Sequence, residues 1–179
     1  TTKRDGLISR NFEPRFALNY RVNQFTSIKL SYARTVQYER LITNSPASLP
    51  TDYWYPINTN LKPENVDIYS LGLYLNFAKN KYQASLELYY KNFNHLNILR
   101  VGTNTLLNQN ITSVLVNGSG LSRGFEFLIK KSSGKLTGWV SYFYSRTTNR
   151  TNSFFDEERI NNNSSFPSDF DRPHNLNIS

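Results

Sequence analysis

The chain carries few side chains at spacings that could perform catalysis or hold a metal ion. Its two histidines, His95 and His174, lie far apart, and neither stands in an HExxH or another metal-ligand spacing. The run Asp156-Glu157-Glu158 could bind a hard cation through its carboxylates, but such a run is also an ordinary solvated loop surface. With no Cys and no GxSxG, Walker A or GxGxxG motif, the sequence predicts no catalytic residue, no metal site and no cofactor. We therefore expect a protein that is not an enzyme.

The strongest candidate for substrate binding is the aromatic triplet Tyr53, Trp54 and Tyr55, which lies in a long polar segment. Aromatic faces stack on sugar rings and on the apolar parts of metal chelates, and the polar tips of Tyr and Trp form hydrogen bonds. Solute binding is one interpretation of this triplet. Packing on neighbouring loops, or anchoring at a membrane interface, is the other.

The elements that must position these residues are extended segments in which apolar and polar side chains alternate. Alternation with a period of two predicts strands with one apolar and one polar face. It is clearest in residues 67–79 and 82–91, which a tight turn at Asn80-Lys81 joins into a hairpin. The side chains predicted to face lipid are Leu71, Leu73, Leu75, Leu86, Leu88, Phe125 and Phe127. The charged side chains predicted to face a lumen are Arg15, Arg21, Glu87, Glu126 and Lys130. These charges could line a path for a solute, or pair with one another or with a plug.

Short and long connections alternate along the chain. Tight turns are expected near residues 23–25, 80–81 and 132–135, and long loops near residues 41–65, 101–119 and 149–173. The pattern predicts an all-β fold, an antiparallel up-and-down meander of about six full strands and the start of a seventh. Short turns at one end and long loops at the other are typical of a transmembrane β-barrel.

The composition is compatible with a sheet that spans a membrane. Aromatic residues make up 15% of a chain in which only 38% of the residues are hydrophobic. No apolar run is long enough for a transmembrane helix, but a transmembrane strand needs only about 9–11 residues. The net charge of +8 raises the question of nucleic acid. Because Lys and Arg are dispersed, with no cluster longer than Lys130-Lys131, no nucleic-acid partner is predicted.

Five stretches, taken together and in order, resemble the barrel of TonB-dependent outer-membrane receptors, especially the Bacteroidetes type. They are FEPRFALNYRVNQFTSIKLSYART (12–35), LPTDYWYPINTNLKPENVDIYSLGL (49–73), SGLSRGFEFLIKK (119–131), GKLTGWVSYFYSRT (134–147) and FDRPHNLNIS (170–179). The likeness covers nearly the whole chain. It implies an intact barrel of about 22 strands around a plug. Residues 1–179 would then be a fragment of one β-barrel domain, with the plug domain absent.

The resemblance also implies a function and a location. The protein would lie in the outer membrane of a Gram-negative bacterium and take up a scarce nutrient by loop capture and plug gating. The nutrient would be a metal chelate, an oligosaccharide or a peptide. The implied partners are outer-membrane lipid, the TonB complex acting through the absent plug, the small-molecule or oligosaccharide solute, and a surface lipoprotein where one exists.

Two alternatives of a different class stay open. One is a small self-closing outer-membrane barrel that anchors or adheres, for which eight strands suffice. The other is a soluble β-sandwich that binds carbohydrate, in which the apolar rows would form a buried core between two sheets.

Overall fold

The computed structural model describes residues 2–4, 7–42, 52–56, 61–100, 102–103 and 111–179. Most of these residues lie in strands. The helical residues in these ranges form short 3-10 turns at Ile111–Val114, Asp156–Glu158 and Asn161–Asn163. Within the same ranges, no helix has the length and apolar character needed to cross a membrane.

The strands in the described ranges are numbered in chain order. They are β1 (Thr2–Arg4), β2 (Leu7–Ser9), β3 (Arg15–Asn23), β4 (Thr26–Gln37), β5 (Glu39–Ile42), β6 (Tyr53–Pro56), β7 (Glu64–Phe77), β8 (Tyr82–Leu99), β9 (Leu115–Lys131), β10 (Gly138–Thr151), β11 (Phe166–Pro167) and β12 (His174–Ile178). The short pairs β1–β2 and β5–β6 form separate two-stranded sheets.

The remaining eight strands form one sheet. Its spatial order is β3-β4-β7-β8-β9-β10. Both β12 and β11 pair with β10, β12 with residues 140–144 and β11 with residues 148–149. Every pairing in this sheet is antiparallel. The antiparallel meander predicted from the sequence is therefore confirmed.

The short connections lie together at one end of the sheet. The turn between β7 and β8 places Ala78, Lys79 and Asn80 in the left-handed region, with φ of 51°, 58° and 64°. In the turn between β9 and β10, Gly134 has a φ of +118°, a conformation that a residue with a Cβ atom rarely adopts. We call this end of the strands the short-turn end, and the opposite end the long-loop end.

The long connections contain more regular structure than the alternation pattern predicted. The β5–β6 hairpin begins at Glu39 and extends into the predicted loop 41–65, β9 begins at Leu115, and β10 continues to Thr151. These extensions are rich in polar residues on both faces, so the period-two signal is lost although the backbone pairing continues. Residues 43–51, 57–60, 101 and 104–110 of the predicted loops lie outside the described residues.

The largest buried apolar cluster of the described chain lies at the long-loop end, not between sheets. Ile42, Ile111 and Val114 are buried there, and Tyr55, Leu99 and Leu115 pack against them. The cluster joins the β5–β6 hairpin to the extended ends of β8 and β9. A small core at one end leaves both faces of the main sheet without an apolar partner in the described part of the chain.

Candidate functional site

The apolar face of the main sheet is built from rows of side chains that cross neighbouring strands. Leu71 lies opposite Leu88, which in turn lies opposite Phe125. The next row is Leu73, Leu86 and Phe127, and Leu75 begins a third row opposite Ala84. All the side chains predicted to face lipid thus share one face. Leu71 and Leu88 are each 45% exposed, which is unlike the buried core of a sandwich. An exposed apolar face of this extent indicates a surface that meets lipid or protein.

Aromatic rings border this apolar face at both ends. Towards the long loops, the Tyr32 and Tyr69 ring centroids lie 5.0 Å apart, and those of Tyr69 and Tyr90 lie 6.3 Å apart. Towards the short turns, Phe77 stacks on Tyr82 with the ring centroids 5.2 Å apart. Tyr69 through Phe77 is nine residues of β7, and a transmembrane strand needs about 9–11. We call the surface between these two aromatic borders the apolar band.

The polar face brings two of the predicted lumen-facing charges together. Glu87 on β8 lies directly opposite Glu126 on β9. The Tyr74 hydroxyl donates a hydrogen bond to the Glu87 carboxylate, with 2.7 Å between the oxygens. Phe143 and Tyr89 stack on the same face, with ring centroids 6.0 Å apart. The centre of this face therefore carries two carboxylates between tyrosine side chains.

The remaining predicted lumen-facing charges are placed apart from that pair. Arg15 lies 3.8 Å from Glu13 in an exposed ion pair, a contact that contributes little to stability. Arg21 lies opposite Ser27 near the short-turn end, and Lys130 lies opposite Gln83. Among the described residues, no ion pair joins any two of the five predicted charges.

Gly72 provides the space that Tyr74 needs in order to reach Glu87. A Cβ atom at Gly72 would lie 2.8 Å from the Tyr74 ring, so the ring lies flat over this glycine. We expect Gly72→Val to push the ring away and to break its hydrogen bond, lowering the free energy of unfolding by about 1–3 kcal/mol. Thermal unfolding of the protein in detergent would measure this loss.

Two companion variants separate the steric effect from the hydrogen bond. Tyr74→Phe keeps the ring and removes only the hydroxyl, so it should cause the smaller loss. The double variant Gly72→Val with Tyr74→Ala has no such overlap. Its loss of unfolding free energy should therefore be smaller than the sum of the losses caused by Gly72→Val alone and by Tyr74→Ala alone. Strictly additive losses would contradict the packing of Tyr74 over Gly72.

A polar cluster that the sequence analysis missed lies just beyond the apolar band, at the long-loop end. The Asp67 carboxylate accepts hydrogen bonds from Nε and Nη2 of Arg34, each at 2.8 Å, and from the Tyr32 hydroxyl at 2.7 Å. This two-pronged bond from Arg34 lowers the pKa of the Asp67 carboxyl below its ordinary value. Asp67 precedes Tyr69 by two residues and so lies on the solvent side of the aromatic border.

A second missed cluster connects three parts of the long-loop end. The buried Glu64 accepts a hydrogen bond at 2.8 Å from the backbone N–H of Asn97, and it forms an ion pair at 3.3 Å with Arg40. Glu64 thereby links β7, β8 and the β5–β6 hairpin. The sequence signal for both clusters is the pair of acidic residues in ENVD, at the start of a strand that is otherwise uncharged.

The structure separates the aromatic triplet, for which the sequence leaves two interpretations, solute binding and packing or anchoring. Tyr55 packs against the buried cluster of the long-loop end. Trp54 and Tyr53 are 59% and 39% exposed. In β6, Trp54 points to the face opposite Tyr53 and Tyr55, as strand alternation requires. Of the three, Trp54 is the residue most open to a solute.

A further pair of exposed aromatics, missed in the sequence, lies on the loop after β10. Phe154 is 92% exposed, and Phe155 is also largely exposed. Three hydrogen bonds hold the backbone around them. The Arg159 guanidinium donates to the carbonyl oxygens of Ser153 and Phe154, and the Phe155 N–H donates to the Ser153 hydroxyl. The sequence signal for this pair is the same as for Tyr53, Trp54 and Tyr55, namely adjacent aromatic residues in a polar loop.

Four of the side chains considered for metal binding take part in other interactions. Asp156 forms an ion pair with Arg159, and Glu158 accepts a hydrogen bond from Ser153. Nδ1 of His174 lies 2.7 Å from the Tyr142 hydroxyl, and Nδ1 of His95 lies 3.2 Å from the Asn65 amide. Each histidine thus takes part in a local hydrogen bond within the sheet.

Comparison with known proteins gives a match to a family model. The model described as TonB dependent receptor-like, beta-barrel matches residues 1–178. No curated protein and no solved structure matches the chain.

Proposed function

The chain belongs to the TonB-dependent receptor-like β-barrel family, and we propose that it forms part of the wall of an outer-membrane transporter for a scarce nutrient. Proteins of this family are outer-membrane receptors that transport solutes. The observation that carries the proposal is the apolar band, which is exposed, is bordered by aromatic rings and has the height of a spanning strand.

The two faces of the sheet support a wall between lipid and water. The apolar band would contact hydrocarbon, and its tyrosine and phenylalanine borders would lie at the two membrane interfaces. The opposite face, with Glu87 and Glu126 at its centre, would line a water-filled lumen or contact a plug. Because every backbone polar group in lipid must be paired, a spanning sheet has to close into a barrel.

The strand directions favour a larger barrel over a self-closing one. Six successive antiparallel pairings separate β3 from β12, so these two edge strands run in the same direction. Joining them would create a parallel pair, whereas bacterial single-chain barrels have an even number of antiparallel strands. We infer that further strands lie between β12 and β3 in the complete barrel. This supports a part of a large barrel and weakens the small anchoring barrel as an alternative.

The proposed mechanism is binding and gating, with no covalent chemistry. The long loops would face the cell exterior and capture the solute, which would be a metal chelate, an oligosaccharide or a peptide. Energy from the inner membrane would be relayed through TonB to a plug in the lumen, which moves to open a route. Trp54, Phe154 and Phe155 are the exposed aromatics through which this chain would contact the solute.

The proposal is tested by uptake in cells. Deletion of the gene should abolish growth on one limiting nutrient among metal chelates, oligosaccharides and peptides, and inactivation of TonB should cause the same defect. The protein should fractionate with the outer membrane and require detergent for extraction. A protein found in the soluble fraction, or uptake that persists without TonB, would refute the transporter assignment.

Within this function, Trp54→Ala should weaken solute capture without altering the barrel. Loss of one exposed aromatic contact is expected to raise the apparent KM for uptake about tenfold, with maximal uptake and protein level unchanged. Uptake measured against solute concentration gives this result. Tyr55→Ala is the contrasting variant: because Tyr55 packs on the buried cluster, its main effect should be loss of stability at the long-loop end. An unchanged KM in Trp54→Ala would exclude Trp54 from the binding site.

A further inference from the structure

The short-turn end carries a group of lysines that have no acidic side chain beside them among the residues that the structure describes. The group, called here the short-turn lysine cluster, consists of Lys79, Lys81, Lys131 and Lys135. Among the described residues, the acidic side chains nearest to it along the strands are Glu87 and Glu126, at the centre of the polar face. No ion pair in the described chain includes any member of the cluster.

The lysines of the cluster lie in or beside two turns that are adjacent in the sheet. The Ser132 N–H, in the turn after β9, donates a hydrogen bond at 2.9 Å to the carbonyl oxygen of Lys81, in the turn before β8. Tyr82 and Lys131 are register partners at the adjoining strand ends. Lysines that are about fifty positions apart in sequence therefore share one rim of the sheet.

The position of Lys131 shows which medium this rim faces. Lys131 alternates with Phe127 and Ile129 and so lies on the apolar face, next to the border formed by Phe77 and Tyr82. Its ammonium group lies 5.8 Å from the Tyr82 ring centroid. A Cβ atom at Gly134 would lie 3.7 Å from Lys131 Nζ, so the side chain runs along the apolar surface and turns towards the short-turn end. A lysine with its stem on apolar surface and its charge at the aromatic border has the geometry of a snorkelling residue at the headgroup level.

We propose that the short-turn lysine cluster binds the phosphate groups of anionic phospholipids in the periplasmic leaflet. The inference rests on the proposed function, because it requires the apolar band to lie in the membrane with the short turns on the periplasmic side. An acidic protein segment would approach the turns from the aqueous side, whereas Lys131 is reached from the lipid side. Each lysine near an anionic surface strengthens lipid binding about fivefold.

The test compares two triple variants of the full chain that lose the same charge at opposite ends. Lys79→Gln, Lys81→Gln and Lys135→Gln remove exposed lysines of the cluster, and Lys62→Gln, Arg150→Gln and Arg172→Gln remove exposed cations of the long-loop end. Each protein is reconstituted in bilayers of phosphatidylcholine and phosphatidylglycerol in equal amounts and extracted in mild detergent. Native mass spectrometry then measures the ratio of the two lipids that remain bound.

The unmodified protein should retain phosphatidylglycerol in preference to phosphatidylcholine. In the short-turn variant the ratio of bound phosphatidylglycerol to bound phosphatidylcholine should be at least tenfold lower. The long-loop variant should keep the ratio of the unmodified protein. Equal retention in all three proteins, or equal loss in both variants, would overturn the lipid site while leaving the transporter assignment intact. If the unmodified protein does not insert into bilayers at all, the proposed function and the lipid site both fail.

Discussion

Leu73→Arg is expected to lower the free energy of unfolding by about 2–4 kcal/mol, the cost of an arginine on the lipid face at the middle of a membrane. Leu73 is the central residue between the borders Tyr69 and Phe77, and it lies opposite Ile28 and Leu86 on the apolar face. A guanidinium placed there would have to leave water without gaining a partner. The loss can be measured by reversible unfolding of the protein in lipid vesicles.

The matched control for this substitution is Ser85→Arg. Ser85 precedes Leu86 on β8, so it has nearly the same depth and projects from the polar face. An arginine in a water-filled lumen needs little desolvation, so the loss should stay below about 1 kcal/mol. Similar losses for the two variants would show that the faces have the same surroundings, which contradicts a lipid-facing band.

The second large effect is expected for Asp67→Asn. The substitution keeps the shape of the side chain but removes the charge that accepts both hydrogen bonds from Arg34 and one from Tyr32. Hydrogen bonds to charged groups contribute about 1.5–3 kcal/mol, and the partial exposure of Arg34 reduces this figure. We expect a loss of about 1–2 kcal/mol in thermal or denaturant unfolding. Glu39→Gln, an exposed residue of the same region, should change stability by less than about 0.5 kcal/mol.

The pH dependence of the Asp67 variant follows from the direction of its pKa shift. The folded-state pKa of Asp67 is lowered by Arg34, whereas its unfolded-state pKa is about 3.9. Its contribution is thus fully present above about pH 3.9 and is lost as the pH falls through the lower, folded-state pKa. The difference in stability between the unmodified protein and Asp67→Asn should therefore shrink in acid and stay constant at neutral pH. A difference that grows in acid would contradict the assigned ion pair.

The antiparallel meander could be predicted from the sequence because its signal is local. Period-two alternation assigns a side chain to a face from its immediate neighbours alone, which is why the rows around Leu71 and Leu88 could be anticipated before their register was known. The short turns contribute in the same way, since Gly134 and the Asn80-Lys81 pair mark them within a few residues.

The features that the sequence did not reveal depend on contacts between distant strands. Arg34 and Asp67 meet because β4 and β7 pair in one particular register, and Glu64 meets Asn97 only through the extended ends of β7 and β8. The separation of Tyr55 from Trp54 likewise requires the β5–β6 hairpin to pack on the buried cluster. Alternation carries no information about such register and packing, so these polar and aromatic clusters became visible only in three dimensions.

Spin labels placed along β7 and β8 can measure whether one face of the sheet contacts lipid and the other contacts water. The chain has no Cys, so a single cysteine can be introduced at each position in turn from Tyr69 to Phe77 and from Tyr82 to Tyr90 and labelled without background. In lipid bilayers, collisions with oxygen, which is concentrated in hydrocarbon, should be highest at Leu71, Leu73, Leu86 and Leu88. Collisions with a water-soluble nickel chelate should be highest at the intervening positions, which gives two opposed profiles with a period of two. Profiles that lack this alternation, or low oxygen accessibility at all four leucines, would show that the apolar band does not face lipid.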